Sequence, residues 1–313
     1  METISSMKHN RPLLPLLLFL LVSLTADSQI HLNSVDIVAY WKINETHSVK
    51  IKTTTTDVEK GIKQSFNTTF DATFKILNAS DSGYTLEWIY TNSNLAKDEP
   101  AIESQVINHL INSKIIMKLS ETGRFVELVN VTNIKAATEL ALDNLIKDAK
   151  DEASISQFKA MKQFIDSRQG LEILLLKHVK FYNLLFGLSY KTNEMETYQS
   201  RVPNPLGGEP YDVIEKIWVT KLDKASSTCT IETSKIIEGS ILMASVIEQL
   251  QKVSKENLKE LNDRLAKENL EISDRTMHQI DLSKGIIQKA VFRKVMNLGF
   301  QNREVIWEIE TVN

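Results

Sequence analysis

The sequence predicts an α+β fold in which amphipathic helices pack on antiparallel sheets. Alternating apolar residues around short Asp/Ser/Gly turns recur near both ends of the chain, and residues with apolar spacing of three and four lie between them. Such alternation is typical of antiparallel hairpins with one buried face, and the longer spacing is typical of amphipathic helices. The order hairpin, helix, hairpin occurs twice, which predicts an internal duplication.

The first β-rich half covers residues 29–131. Apolar residues alternate from Phe66 to Ile76, and a third run from Tyr84 to Tyr90 follows an Asn/Ser/Asp/Gly turn. A helix is predicted over 102–111 and a second hairpin over 115–129, with a Ser-Glu-Thr-Gly turn between its strands.

Residues 132–202 are predicted to be a helical connection, with helix throughout 132–186. Ser154 and Gln157 have the spacing of a capping box, which predicts a helix that begins there. Gly170 is expected to separate this helix from the next one, because glycine weakens a helix interior.

The second β-rich half covers residues 203–313, and we expect the two halves to pack as one body. It begins with a loop, since three prolines and two glycines within 203–210 exclude a helix or a central strand. The predicted elements that follow are a hairpin over 213–237, a helix over 240–269 with Met243 and Ile247 in its apolar stripe, a hairpin that turns at 283–285 and a strand over 304–312.

The beginning of the chain has the pattern of a secretory signal peptide. Lys8 and Arg11 precede the apolar run Leu13 to Val22, and small residues flank Asp27 before a cut after Ser28. The pattern predicts export of a chain that begins at Gln29, to the periplasm or the extracellular space. The apolar run is shorter than the roughly 20 residues of a spanning helix, so we expect no transmembrane anchor.

Composition narrows the range of partners and chemistry. The formal net charge is -3 and charges of both signs are interspersed, which argues against a nucleic-acid partner. Cys229 is the only cysteine, so no intramolecular disulfide can form. No cofactor motif is present, and the histidines lack the spacing of a helical zinc site, so neither a cofactor nor a metal is expected.

Three candidates for catalysis are better explained as ordinary structural residues. Cys229 alternates with Ile231 in a predicted strand, and free cysteine is among the most buried residue types. Ser156 and Lys159 have serine acyl-enzyme spacing, but its companion motifs are absent. His178 shares a predicted helix face with leucines, where a histidine is more often a hydrogen-bonded core residue than a ligand. The sequence therefore leaves the question of an enzyme open and leans against one.

The candidate binding residues come from two places in the chain. The proline-glycine loop is a rigid connection by default, but as an exposed rim it would present Asn204, Leu206 and Glu209 to a ligand or partner. His178 and Tyr182, four residues apart on one helix, are the second group. All four tryptophans lie in predicted strands, where buried packing is the default and lining a pocket is the alternative. These are Trp41, Trp88, Trp218 and Trp307.

Two resemblances add to this interpretation. The run Pro-Asn-Pro-Leu-Gly-Gly-Glu-Pro at 203–210 resembles a motif of uncharacterised secreted bacterial proteins that have a signal peptide and a duplicated β-rich body. The plan of a large antiparallel sheet covered by helices resembles periplasmic lipoprotein-carrier folds, which hold acyl chains. The second resemblance implies a hydrophobic ligand, although a fold alone does not determine function.

The sequence thus favours a non-enzymatic binding protein outside the cytoplasm, whose partner is a hydrophobic small molecule, a lipid or a protein. The alternatives are an envelope structural or assembly factor that acts through its surface, and a hydrolase whose site is assembled from distant residues. An apolar groove between helices and sheet would favour the carrier, and an exposed apolar patch over a filled interior would favour the protein-binding alternative.

Overall fold

A computed structural model describes residues 29–59, 61–96, 99, 101–202, 204, 209–253, 263, 265, 270–299 and 301–312. The strands are β1 (Ser34–Ile37), β2 (Thr46–Glu59), β3 (Ile62–Ser80), β4 (Gly83–Asn94), β5 (Lys114–Leu119), β6 (Phe125–Leu128), β7 (Leu188–Lys191), β8 (Glu196–Val202), β9 (Tyr211–Asp223), β10 (Thr228–Glu238), β11 (Glu271–Asp281), β12 (Ile286–Asn297) and β13 (Gln301–Val312). The helices in this part of the chain are α1 (Ile102–His109), α2 (Val131–Asp148), α3 (Glu152–Phe164), α4 (Arg168–Leu175), α5 (Lys177–Tyr182) and α6 (Gly239–Val253).

One antiparallel sheet of eleven strands forms the body of the protein. Its order is β6-β5-β4-β3-β2-β13-β12-β11-β10-β9-β8, and β1 and β7 form a second, two-stranded sheet. The first and last strands of the large sheet along the chain, β2 and β13, pair at its middle, with Ile51 opposite Ile309. This pairing joins the strands of the two β-rich halves into one sheet.

The two faces of the large sheet differ in character. We call the face that carries Ile51, Phe74, Trp88 and Ile309 the inner face, and all four side chains are buried. The opposite, outer face carries polar and charged residues such as Lys52 and Glu308, which form an ion pair. Strict alternation along each strand produces this division, because successive side chains of a strand point to opposite faces.

Two separate apolar clusters cover the inner face. The first and larger cluster includes side chains from α1 to α5 and from both halves of the sheet, for example Leu175, Phe74 and Ile231. The second is formed by Leu242 and Val246 of α6 with residues of β9, β10 and β11, among them Ile237. The inner face is therefore covered at two places rather than along its whole extent.

Aromatic rings fill the middle of the first cluster. The ring of Phe74 stacks on that of Trp88, with centroids 6.2 Å apart, and lies 5.8 Å from Trp41 and 5.7 Å from Tyr182. Trp41 was predicted in a strand, but it follows β1 in irregular backbone, where its Nε1 donates to the Gly285 carbonyl oxygen at 2.9 Å. A Cβ on Gly285 would lie 2.3 Å from the Val38 carbonyl oxygen, so only glycine fits this contact.

The predicted helical connection is helical over most of its length, but its boundaries differ. Asp151, not Ser154, caps α3, and its side chain accepts from the Ser154 backbone N–H. The next break falls before Ser167, which caps α4 by accepting from the N–H of Gly170. Gly170 lies inside the first turn of α4, where a Cβ would come 2.0 Å from the Phe164 carbonyl oxygen. Glycine is therefore required at position 170 because a side chain does not fit at the helix junction, and not because the helix is broken there.

Two further boundaries depart from the prediction. The end of the expected helical connection contains β7 and β8, and β8 pairs with β9 as the edge strand of the sheet. The helix expected over 240–269 is described as α6 up to Val253, and most of its remainder lies outside the described residues. In α6, Leu242 and Val246 are fully buried, whereas Met243 and Ile247 are only partly buried, so the buried stripe is rotated by one residue.

The order hairpin, helix, hairpin occurs twice in the structure. The first set is β3–β4, α1 and β5–β6, the second is β9–β10, α6 and β11–β12, and both sets of strands pair in sequence order. Corresponding strands of the two sets differ in length, since β6 has 4 residues and β12 has 12. The duplication and the boundaries at 131 and 202 remain predictions.

We expect Phe74→Ala to lower the free energy of unfolding by about 3–5 kcal/mol, because it leaves a cavity among rings that cannot close over it. Urea denaturation followed by circular dichroism measures this change. Phe164→Ala removes the same atoms from a side chain that is 43% exposed and should cost far less. Equal losses for the two variants would contradict a core centred on Phe74.

Candidate functional site

The structure places His178 and Tyr182 in the core, not on a surface. Both belong to α5 and both are buried against the inner face. The Tyr182 hydroxyl lies 3.1 Å from the Ile287 carbonyl oxygen and 2.9 Å from Thr311 Oγ1. These contacts fasten α5 to β12 and β13, so Tyr182 has a structural role in the position where we expected a binding residue.

His178 has one polar partner in the described part of the chain. Its Nδ1 lies 3.1 Å from the Tyr90 hydroxyl, while its Nε2 is buried without a hydrogen bond. Burial lowers the pKa of His178 well below its ordinary value, and the neighbouring Lys177 charge lowers it further. His178 is therefore a neutral core residue, as the leucine-rich helix face suggested.

A second buried histidine was not singled out from the sequence. His278 of β11 places Nε2 3.0 Å from the Phe181 carbonyl oxygen, a contact in which Nε2 donates. Burial lowers its pKa to about 4, although the bond to Phe181 opposes the shift. Its position in an alternating strand was the available signal, because it lies on the same face as the buried Ile280.

The predicted loop residues are not brought together with His178. Glu209 is exposed and lies 3.9 Å from Arg201 of the edge strand β8, whereas His178 packs against Phe70 and Trp307 near the middle of the sheet. Asn204 is described but has no established role, and Leu206 lies outside the described residues. A binding rim in this loop remains a prediction.

The candidate catalytic residues are held in unreactive settings. Cys229 is buried, and burial raises the pKa of its thiol to about 12, which disfavours the thiolate. Ser156 and Lys159 are exposed on α3, and neither side chain forms a hydrogen bond or an ion pair with a described residue. Within the described ranges, no group of three or more His, Cys, Asp or Glu side chains is suited to holding a metal ion.

Between the two apolar clusters, the inner face carries a strip that crosses six strands from β9 to β2. Strand registers place its twelve side chains in two adjacent rows. The first, which we call the aromatic row, is Ile217, Thr233, Thr276, Phe292, Trp307 and Thr53. The second, which we call the charged row, is Glu215, Lys235, Asp274, Lys294, Val305 and Thr55. Strands lie about 4.8 Å apart, so this inner strip is roughly 24 Å long.

The strip differs in burial from the rows on either side of it. Towards the helical layer, Ile231, Ala290 and Ile309 are fully buried, and towards α6, Ile237 and Ile272 are buried as well. Within the strip, nine side chains are only half-buried, and three threonines are buried. The strip is thus covered less by the described elements than these buried residues on either side of it.

The aromatic row contains a pair of rings beside a cation. Trp307 and Phe292 are directly opposite on neighbouring strands, with centroids 4.5 Å apart. Lys177 places its Nζ 5.2 Å from the Trp307 ring centroid and 2.7 Å from Glu103 of α1. Burial alone would raise the pKa of Glu103, but Lys177, a backbone hydrogen bond and the Arg303 charge together lower it. The helical layer therefore borders the strip with a tight ion pair above an indole ring.

The buried threonines beside these rings add polar atoms to the strip. Thr233 and Thr276 place their hydroxyls 2.8 Å apart. Thr53, opposite Trp307, has a buried hydroxyl that makes no hydrogen bond to any described residue. The aromatic row consequently offers apolar ring faces together with one unused hydroxyl.

Neither row was recognised as a site from the sequence. Trp307 was named only as a tryptophan in a predicted strand, and Phe292 was not singled out. The signal in the sequence is that Lys235, Asp274 and Lys294 occupy positions of the same parity as buried apolar residues in their strands. A charge at an inward position marks a place where the core is interrupted.

Comparison with known proteins identifies no family. No protein-family model matches the chain, and no curated protein matches it. A solved structure described as lipid–protein interactions in lipovitellin is similar with a TM-score of 0.41 and 10% sequence identity. The match covers 87% of this chain and 25% of the lipovitellin chain, so this chain spans about a quarter of that length. At that score we draw nothing about function from the likeness.

We expect stability to fall on acidification because of the buried histidines. Burial lowers the pKa of both histidines in the native state, to about 4 for His278. Below about pH 6.5 the unfolded state therefore binds protons that the native state excludes. The free energy of unfolding should then drop by about 1.4 kcal/mol per pH unit for each histidine. Urea denaturation between pH 7 and 5 measures the slope.

His278→Gln should reduce that slope, because glutamine keeps a donor for the Phe181 carbonyl but does not titrate. The change in the free energy of unfolding of the variant is measured relative to its own value at pH 7. An unchanged slope in this variant would contradict the assignment to His278.

Proposed function

We propose that this protein binds an amphipathic small molecule or lipid on the inner strip, without catalysis. The observation that carries the proposal is the half-exposed pair Trp307 and Phe292 on a face that is otherwise buried on both sides. Ligand sites combine apolar and aromatic surface with a few placed polar groups. The strip offers the rings of Trp307 and Phe292 beside threonines and paired charges, between two helical covers. An apolar chain would lie along the aromatic row, with polar groups against the charged row.

Binding is better supported than hydrolysis. The buried histidines lie inside the core, where no substrate can reach them without displacing α5. Each shifted carboxyl pKa of a described residue is lowered, as for Glu103 and Glu172, whereas a general acid at neutral pH requires a raised one. The perturbed groups therefore stabilise the fold and offer no acid–base pair.

A protein partner is the second candidate, supported by a groove on the outer face. The groove has a volume of about 760 Å³ at β8, β9 and β10 and is lined partly by exposed Ile214, Ile236 and Ile241. An assembly factor that acts through its surface would use this groove and leave the inner strip empty. Substitutions on the two faces can therefore separate the two functions.

We further propose that the protein acts outside the cytoplasm. The basis is the signal-peptide pattern of residues 1–28, which lies outside the described residues. None of the described helices is long and apolar enough to cross a membrane.

Trp307→Ala should weaken binding of the uncharged apolar probe N-phenylnaphthylamine by roughly thirtyfold in Kd, or about 2 kcal/mol, because an indole face at the centre of the site is removed. Probe fluorescence during titration measures this change. Trp218→Ala is the matched control, since Trp218 is also half-buried in a strand but lies on the outer face. Equal effects of the two variants, or no binding to the unsubstituted protein, would rule out the inner strip.

N-terminal sequencing of exported protein should find Gln29, or a residue within a few positions of it, as the first residue. Protein recovered outside the cytoplasm with Met1 intact would contradict the signal-peptide interpretation. Native mass spectrometry of the same material should also show a retained lipid-sized mass.

A further inference from the structure

Three ion pairs lie side by side on the inner face, next to the aromatic row. Each joins residues directly opposite on neighbouring strands: Glu215 with Lys235, Asp274 with Lys294, and Asp57 with Arg303. The first two pairs belong to the charged row, and the third lies in the next row, where Arg303 is opposite Met296. Charges are thus concentrated in one place on a face whose other residues are mainly apolar.

Two of these ion pairs are loose. Lys294 Nζ is 3.5 Å from Asp274 and Arg303 Nε is 3.4 Å from Asp57, whereas charge-assisted hydrogen bonds are typically about 2.7–2.9 Å long. The carboxylate oxygens concerned, Oδ1 of Asp274 and of Asp57, are buried and accept no hydrogen bond from a described residue. Both carboxylates therefore retain unused acceptor capacity.

The cations of the same pairs retain unused donors. A lysine has three N–H donors and an arginine five, and neither Lys294 nor Arg303 forms a second ion pair with a described residue. Their side chains are 43% and 38% exposed, so these donors can reach a ligand in the strip. Donors and acceptors of opposite charge thus stand within a few ångströms of each other.

The balance of charges selects among ligands. Glu215, Asp274 and Asp57 contribute three negative charges, and Lys235, Lys294 and Arg303 contribute three positive ones, so the net charge is zero. A cluster of charges whose net charge is zero gives little long-range attraction to an anion or a cation. Its neighbouring positive and negative side chains complement a ligand that carries both signs. From this pattern we propose that the inner strip binds an amphiphile with a zwitterionic head group, an inference that rests on the proposed function above.

In this arrangement, the anionic part of the head group accepts from Lys294 and Arg303. Its cationic part lies against the partly exposed carboxylates of Asp274 and Asp57. The alkyl chain extends over Phe292 and Trp307, which lie diagonally across neighbouring strands from Asp274 and Lys294, respectively. Zwitterionic heads and apolar chains occur together in phospholipids and in single-chain surfactants, and the shared chemistry is what the site recognises.

The test compares four single-chain amphiphiles that share a dodecyl chain, each below its critical micelle concentration. They are dodecylphosphocholine, dodecanoate, dodecyltrimethylammonium and an uncharged dodecyl polyethylene glycol ether. Tryptophan fluorescence in a Trp218→Phe background reports binding near Trp307. We expect the zwitterion to bind about tenfold tighter than the other three, because one added charge-assisted hydrogen bond corresponds to about that factor.

A double variant, Lys294→Gln with Asp274→Asn, removes one ion pair while keeping side-chain size. It should abolish the preference for the zwitterion, so that the zwitterion and the uncharged ether bind with similar affinity. The matched control is Arg293→Gln with Glu304→Gln, which removes an ion pair of 2.6 Å between β12 and β13 on the outer face. The control should retain the full preference.

The outcomes separate the two proposals. Equal binding of all four amphiphiles, or a preference for the anion or the cation, overturns the zwitterion site and leaves the proposed binding function standing. No binding of any amphiphile, the uncharged ether included, overturns both. If circular dichroism shows that the double variant does not fold, the comparison of the four amphiphiles with the unsubstituted protein decides the question alone.

Discussion

The structure depends on covering one face of a single, very wide sheet. Eleven antiparallel strands present an inner face that must be removed from water, because its buried apolar side chains contribute most of the hydrophobic stabilisation. The helical connection covers the middle and one side of that face, and α6 covers a separate region. The inner strip lies between the two covers, so its exposure is a consequence of how the helices are distributed.

The composition of the strip fits this position. A half-exposed stretch of purely apolar side chains would be an exposed hydrophobic patch, with the associated tendency to aggregate. Charges there must be paired, because an unpaired charge beside two apolar clusters would carry a desolvation cost of several kcal/mol. Directly opposed pairs such as Glu215 and Lys235 meet both requirements.

The histidines of the core illustrate a different use of polar groups. His178 of α5 connects the helix to β4 through Tyr90, and His278 of β11 connects that strand to the helix through the Phe181 carbonyl. Each is held neutral by burial, so their hydrogen bonds add orientation without a buried charge. The helical layer that borders the inner strip is therefore fastened by groups whose protonation would disrupt it.

Local sequence determined the elements that depend only on neighbours along the chain. The hairpins around Asp223 and Ser283, the burial of Cys229 and the apolar face of α5 were predictable from alternation, turn residues and helical spacing. These features follow from backbone periodicity and local turn chemistry, which a sequence displays directly. The helix boundaries at Asp151 and Ser167 were less predictable, because several capping residues compete within a few positions.

Only the tertiary structure decided which distant strands became neighbours. The pairing of β2 with β13 joins the two parts of the sheet. It places Thr53 and Trp307 in the same row although they are far apart in the chain. Likewise, Lys294 gained Asp274 as its partner through strand register, and a shift of one residue would have sent one of them to the opposite face. A sequence shows which residues are apolar or charged at each position. It does not show which of them share a row, because register across strands is fixed by the packing of the whole sheet.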